Sequence, residues 1–146
     1  MRIGDKLSHI KSPADLFVLL RIITLASILP FLVRWVRFPD LVRFLGSRRV
    51  QDKQDNRRSE QAIKFTNFVL SRNILMFRRN CLKRSLLLYR FLRQAGMDVD
   101  LNIGIRKESG ELTGHSWLTY EGNPHIDSGE CTSGFHVIYS SRDRVK

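Results

Sequence analysis

The chain has 146 residues, 42% of them hydrophobic, and a formal net charge of +11 from 25 Lys and Arg against 14 Asp and Glu. That length buries a core without cross-links, and that composition excludes a wholly disordered chain. Its two cysteines, Cys81 and Cys131, are too few and too far apart for a disulfide framework or a paired-cysteine zinc site.

The basic excess lies in the first hundred residues. Such a field favours an anionic partner: an acidic peptide, a nucleic acid or a membrane surface. Ser12-Pro13-Ala14-Asp15 predicts a helix start, with a capping hydroxyl, proline at the first position and an acid at the positive end of the dipole. The apolar run Leu16 to Val36 begins too late for a secretory signal and lacks a small-residue cleavage site, so a cytoplasmic location is expected. A membrane span needs about 20 apolar residues with few or no charges, and Arg21 would cost about 2.5–3.5 kcal/mol there. A pair of helices broken at Pro30, buried against the rest of the protein or a partner, is expected instead. Phe38-Pro39-Asp40 restarts a short helix that ends near Gly46. Ser47 to Arg58 reads as a polar linker, so the sequence divides into an apolar helical N-terminal lobe with its linker (1–58) and a core (59–146).

Residues 59–71 predict a helix with Ala62, Phe65 and Val69 on one side. Asn80 caps the next helix and Gly96 stops it. On that helix only Lys83, Arg90 and Gln94 form a polar stripe, which makes it a central helix packed on several flanks. The period then changes. Val99, Leu101, Ile103 and Ile105 alternate with polar residues or glycine as a half-buried strand. Lys107 to Gly114 reads as a loop, and His115 to Tyr120 as a second strand. Glu121 to Pro124 reads as a turn, His125-Ile126-Asp127 as the start of a third strand, and Phe135 to Tyr139 as a fourth. Helices followed by an antiparallel meander predict an α+β fold, the central helix lying on a small antiparallel sheet.

Cys81 stands at the front of the central helix. Unpaired N–H groups and partial positive charge there favour thiolate, the nucleophilic form, and the same amides can serve as an oxyanion hole. The competing reading is a small buried hydrophobe. A thiol nucleophile needs a base, and His115, sharing a strand face with Trp117 and Thr119, is the candidate. With a hairpin centred on Glu121, Asp127 falls opposite His115 and can orient the imidazole; a register one residue different brings Ser128 there. Asn80 is a cap and a candidate oxyanion contributor. Ser85, one turn beyond Cys81 on its side of the helix, and Trp117 are candidates to line the site. His125 is a rival base. Cys131, His136, His125 and Asp127 lack the spacing of a structural zinc site, so no metal or cofactor is expected.

The segment NCLKRSLLLYRFLRQAGMDVDLNIGIRK followed by GHSWLTYEGNPHID resembles the transglutaminase-like, papain-type cysteine peptidases of lasso-peptide biosynthesis. In that family a Cys-Leu-x-Arg-Ser/Ala-Leu helix leads to a strand ending in Gly-x-Arg. A His-x-Trp strand follows, then an Asp about a dozen residues on. The resemblance covers residues 59–130 and implies a transglutaminase/papain-like core that removes the leader from a ribosomally made precursor peptide. It implies Cys81 as nucleophile, His115 as base and then acid, and Asp127 as orienting residue. Arg78, Arg79 and Arg84 would then draw an acidic leader toward the cleft. The apolar N-terminal helices do not resemble a winged helix, so a separate winged-helix leader-recognition protein is the expected partner, with an ATP-dependent cyclase acting on the released core. Lys83 stands where the family often has proline, and Thr119 where it has a hydrophobic residue; both touch specificity rather than chemistry.

Two other readings compete. The same triad serves acyl transfer to an amine, as in transglutaminases or arylamine acetyltransferases. A non-enzymatic basic module would bind membrane or nucleic acid. No aromatic–basic signature of an RNA-binding sheet or a helix-turn-helix is present, so nucleic acid is not expected. A peripheral membrane contact through Leu16 to Val36 is compatible with the peptidase reading.

Overall fold

The computed structural model describes residues 12–47, 55–71, 81–124 and 132–144. The chain forms α1 (Pro13–Trp35), α2 (Phe38–Gly46), α3 (Asn56–Ser71), α4 (Cys81–Gln94), β1 (Val99–Glu108), β2 (Glu111–Tyr120), β3 (Asn123–Pro124), β4 (His136–Ser140) and a closing 3-10 turn, Arg142–Arg144. Four helices followed by one antiparallel sheet, in the order β3-β2-β1-β4, make an α+β fold, as the sequence predicts.

Helix α1 starts where its signals place it, with the Ser12 hydroxyl accepting from the Ala14 amide at 3.3 Å. The expected break at Pro30 does not occur: α1 runs through it as one helix of 23 residues. Proline removes a single backbone bond there, and the buried stripe Asp15, Leu19, Ile22, Ala26 and Leu29 holds the turns on either side of it together. Buried Asp15 accepts from Gln61 Nε2 at 2.7 Å, which ties α1 to α3. Helix α2 ends against α4: Arg90 Nη1 donates to the carbonyls of Phe44 (3.3 Å) and Leu45 (3.1 Å). Helix α3 begins at Asn56, three residues before the expected start. Asp55 is its cap, with Oδ1 accepting from the Arg58 amide at 3.2 Å while its own N–H bonds Ala95 O at 2.9 Å. Residues 48–54 of the expected linker lie outside the described residues.

Helix α4 is central, as its sparse polar stripe requires. Leu86, Leu87, Leu88, Tyr89, Phe91 and Leu92 are all buried, and the helix touches α1, α2, α3, β1 and β2. A single core joins Ile22 and Leu29 of α1, Leu41 and Leu45 of α2, Phe65 of α3, Leu86 of α4, and Leu101 and Leu118 of the sheet.

The sheet departs from expectation at its connections. Lys107 to Gly114 is not a loop: β1 and β2 pair from Val99↔Tyr120 to Glu108↔Glu111, around the two residues Ser109 and Gly110. Both have positive φ, 51° and 91°, the geometry of a type I′ turn, whose twist matches that of the strands. The second turn is likewise two residues, Glu121 (φ 52°) and Gly122 (φ 83°). Thr119 therefore pairs with Pro124 and Tyr120 with Asn123, so Asn123 and Pro124 are strand rather than turn. A turn centred on Glu121, the one that sets Asp127 opposite His115, is not the one formed. Nor is the sheet a simple meander: β4 pairs with the other edge of β1, with a register shift between Ile103 and Gly104.

Candidate active site

Ser85 and Ser116 join the helical layer to the sheet at the front of α4. Ser85 Oγ donates to Ser116 O at 3.0 Å, and Ser116 Oγ donates to Ser85 Oγ at 3.2 Å. Both residues are buried. A second tie fixes the direction: Arg93 Nη1 reaches Val99 O at 3.3 Å, and Val99 pairs with Tyr120. Strand β2 thus runs the same way as α4, with Tyr120 at the end of the helix and Ser116 near its start. Cys81 precedes Ser85 by one turn, about 6 Å of rise, on the same stripe of the helix. His115 precedes Ser116 by one residue, about 3.4 Å. Both lie on the same side of the serine pin, at one end of the helix–sheet layer.

Cys81 is the first residue of α4 and is half-buried, so its thiol sits at the positive end of the helix without being sealed in the core. His115 lies on β2 opposite Gly104. Strand alternation turns Ser116 and Leu118 toward α4 and puts His115, Trp117 and Thr119 on the other face. There the imidazole is stacked with Trp117 (centroids 6.0 Å, planes 16° apart) and lies 5.4 Å from the ring of Phe135. Its Nε2 is buried. Among the described residues β3 pairs with β2 at Thr119 and Tyr120.

The aromatic cradle depends on Gly104. A Cβ at that position would stand 2.8 Å from Trp117 Cη2 and 3.0 Å from Phe135 Cβ. A lone glycine in a strand signals such a close approach, although the alternation alone reads Gly104 only as an outward position of β1. Phe135, before β4, and Arg106, the arginine of the Gly-x-Arg strand end, belong to the same cluster, the Arg106 guanidinium lying 4.6 Å from the Phe135 ring centroid. Further along this face Asn102 Nδ2 donates to Thr119 Oγ1 at 3.0 Å. Beyond it, burial pushes the Asp100 carboxyl above its ordinary range, reinforced by Asp98 and opposed by Arg142, Arg93 and a hydrogen bond from Ser141.

Of the residues singled out from sequence, Cys81 and Ser85 lie on α4, and His115 and Trp117 lie on β2, on the strand face turned away from that helix. Arg84 ties α4 to α3, its Nε donating to Asn67 Oδ1 at 3.1 Å. Asn80, Asp127, His125, Cys131, Arg78 and Arg79 lie outside the described residues. His136 is an exposed residue of β4. A thiol at a helix start with an imidazole on the neighbouring strand is the equipment of acyl transfer through a thioester, to water or to an amine.

No curated protein and no solved structure matches the chain. The family description of the transglutaminase-like superfamily matches residues 25–140, a span that holds the second half of α1, α2 to α4, the whole sheet, Cys81 and His115. The chain is a member of the transglutaminase-like superfamily, a domain of the cysteine peptidase and acyltransferase type.

Proposed function

We propose that this chain is a cysteine peptidase that cuts the leader from a ribosomally made lasso-peptide precursor, through an acyl-enzyme on Cys81. The observation that carries the reading is the Ser85–Ser116 pin, which holds the front of the Cys81 helix against the strand of His115. In this mechanism Cys81 Sγ attacks the scissile carbonyl. His115 takes the thiol proton and returns it to the leaving amine, and water then hydrolyses the thioester and restores the thiol. Asp127 orients the ring, and Asn80 with the first-turn amides of α4 holds the oxyanion. Trp117 and Ser85 line the groove, and Arg84 with its basic neighbours attracts an acidic leader. Membership of the superfamily and the ordered Cys-Leu-x-Arg-Ser, His-x-Trp and Asp motifs support the reading. A separate winged-helix leader-binding protein is the partner, a cyclase takes the product, and the reaction runs in the cytoplasm.

The test incubates precursor and leader-binding partner with wild type, Cys81→Ala and Cys131→Ala, and weighs the products. Leader release is expected from wild type and Cys131→Ala and is abolished in Cys81→Ala; cleavage by Cys81→Ala would refute the proposal. With an added primary amine, a hydrolysed product identifies the peptidase, and an amine adduct identifies an acyltransferase instead.

A further inference from the structure

Helix α1 has two apolar sides, and the fold uses one. Asp15, Leu19, Ile22, Ala26 and Leu29 form the buried stripe. At 100° per residue the opposite side carries Phe17, Leu20, Thr24, Ile28, Phe31 and Trp35, a seam about 27 Å long. Its large apolar side chains stand in solvent: Phe17 61%, Leu20 58%, Ile28 46%, Phe31 66% and Trp35 82% exposed. An ordinary surface helix carries charged and polar residues on this side. By length and composition α1 could cross a membrane. Its buried stripe commits one side to protein, however, so the seam is placed to lie along a bilayer rather than to traverse it.

Two observations say what covers it. The hydroxyls that interrupt the apolar surface are satisfied within the helix: Thr24 Oγ1 donates to Leu20 O at 2.8 Å, and Ser27 Oγ to Ile23 O at 2.9 Å. They therefore demand no polar partner from whatever lies against them. The charge around the seam is of one sign. Arg21 and Arg34 flank it on opposite sides, and Arg37 follows at its end. The guanidinium of Arg21 lies 5.8 Å from the Phe17 ring centroid, its stem along the apolar surface and its head at the rim. Of the two carboxylates between residues 12 and 47, Asp15 is buried on Gln61 and Asp40 belongs to α2. An apolar strip with cationic rims and a terminal tryptophan complements a layer of acyl chains beneath anionic headgroups.

We propose that α1 docks the protein on an anionic phospholipid surface, with the Phe17–Trp35 seam at the acyl–headgroup boundary and Arg21, Arg34 and Arg37 among the phosphates. This stands independently of the peptidase chemistry. The experiment floats the full chain with vesicles of phosphatidylcholine alone and of phosphatidylcholine with about one-third phosphatidylglycerol. Binding to the anionic vesicles is expected, falling with salt and about fivefold for each of Arg34→Gln and Arg37→Gln. A blue shift of tryptophan emission on binding disappears in Trp35→Phe. Phe31→Ser, at an exposed position, releases the protein while leaving its thermal melting unchanged. The proposal is overturned by failure to bind either vesicle at low salt, by equal binding to both, or by vesicle binding that Phe31→Ser leaves intact. Self-association in ultracentrifugation that Phe31→Ser abolishes, without vesicle binding, also overturns it and gives the seam to a second copy of the chain.

Discussion

Replacing Ser85 with alanine removes two hydrogen bonds: its own to Ser116 O and the one that Ser116 Oγ makes to it. Each is worth about 1 kcal/mol net, and a buried hydroxyl left without an acceptor adds about 1–3 kcal/mol. Ser116 is 2% exposed, so its orphaned hydroxyl cannot turn to water. Ser85→Ala should therefore destabilise by about 3–5 kcal/mol. Ser116→Ala leaves the Ser85 bond to the backbone carbonyl in place and should cost about 1 kcal/mol. In the double variant the orphan is gone, so Ser85→Ala/Ser116→Ala should be more stable than Ser85→Ala alone, by about 1–3 kcal/mol. Urea denaturation of the four proteins measures the cycle through their midpoints at constant slope. Additive costs, or a Ser116→Ala cost equal to that of Ser85→Ala, would refute the assignment of the pin.

Two other residues give sharp expectations. Gly104→Ala forces a Cβ to 2.8 Å from the rigid indole of Trp117 and should cost about 1–3 kcal/mol, partly recovered by adding Trp117→Phe; unchanged thermal melting would contradict the close approach. Asp100 has its carboxyl pushed up, chiefly by burial, so the folded state holds its proton more tightly than the unfolded chain. Its contribution is present at low pH and is lost as pH rises through the raised value. Asp100→Asn stays neutral, so its stability relative to wild type should rise with pH across the interval above the ordinary aspartate value and then level. Urea midpoints against pH test this, and a difference that falls or stays flat would contradict it.

The long periodic elements were legible because their burial follows from spacing alone. The central position of α4 was written in a stripe of only Lys83, Arg90 and Gln94, and the alternation from Val99 to Ile105 gave the strand that packs on it. The connections were not legible. Ser109 and Glu121 each open a type I′ turn without the usual asparagine, aspartate or glycine at that position, so the sequence points to longer loops and to a register one residue off. Pro30 stays helical because tertiary packing of α1 outweighs a single lost hydrogen bond. In the site, Cys81 and His115 were visible as chemistry-bearing residues at element ends. The Ser85–Ser116 pin that sets them at one end was hidden, because it joins residues 31 positions apart through short side chains of ordinary composition. The contact of Phe135 with His115 and Arg106 is hidden for a related reason: it depends on β4 returning to β1 rather than extending the meander.

The partnership of sulfur and imidazole is tested most directly by the rate at which iodoacetamide alkylates Cys81 at neutral pH. It is followed by intact mass in Cys131→Ala and in Cys131→Ala/His115→Ala. If His115 serves Cys81, removing the imidazole slows alkylation at least about tenfold. Equal rates in the two proteins would contradict the account.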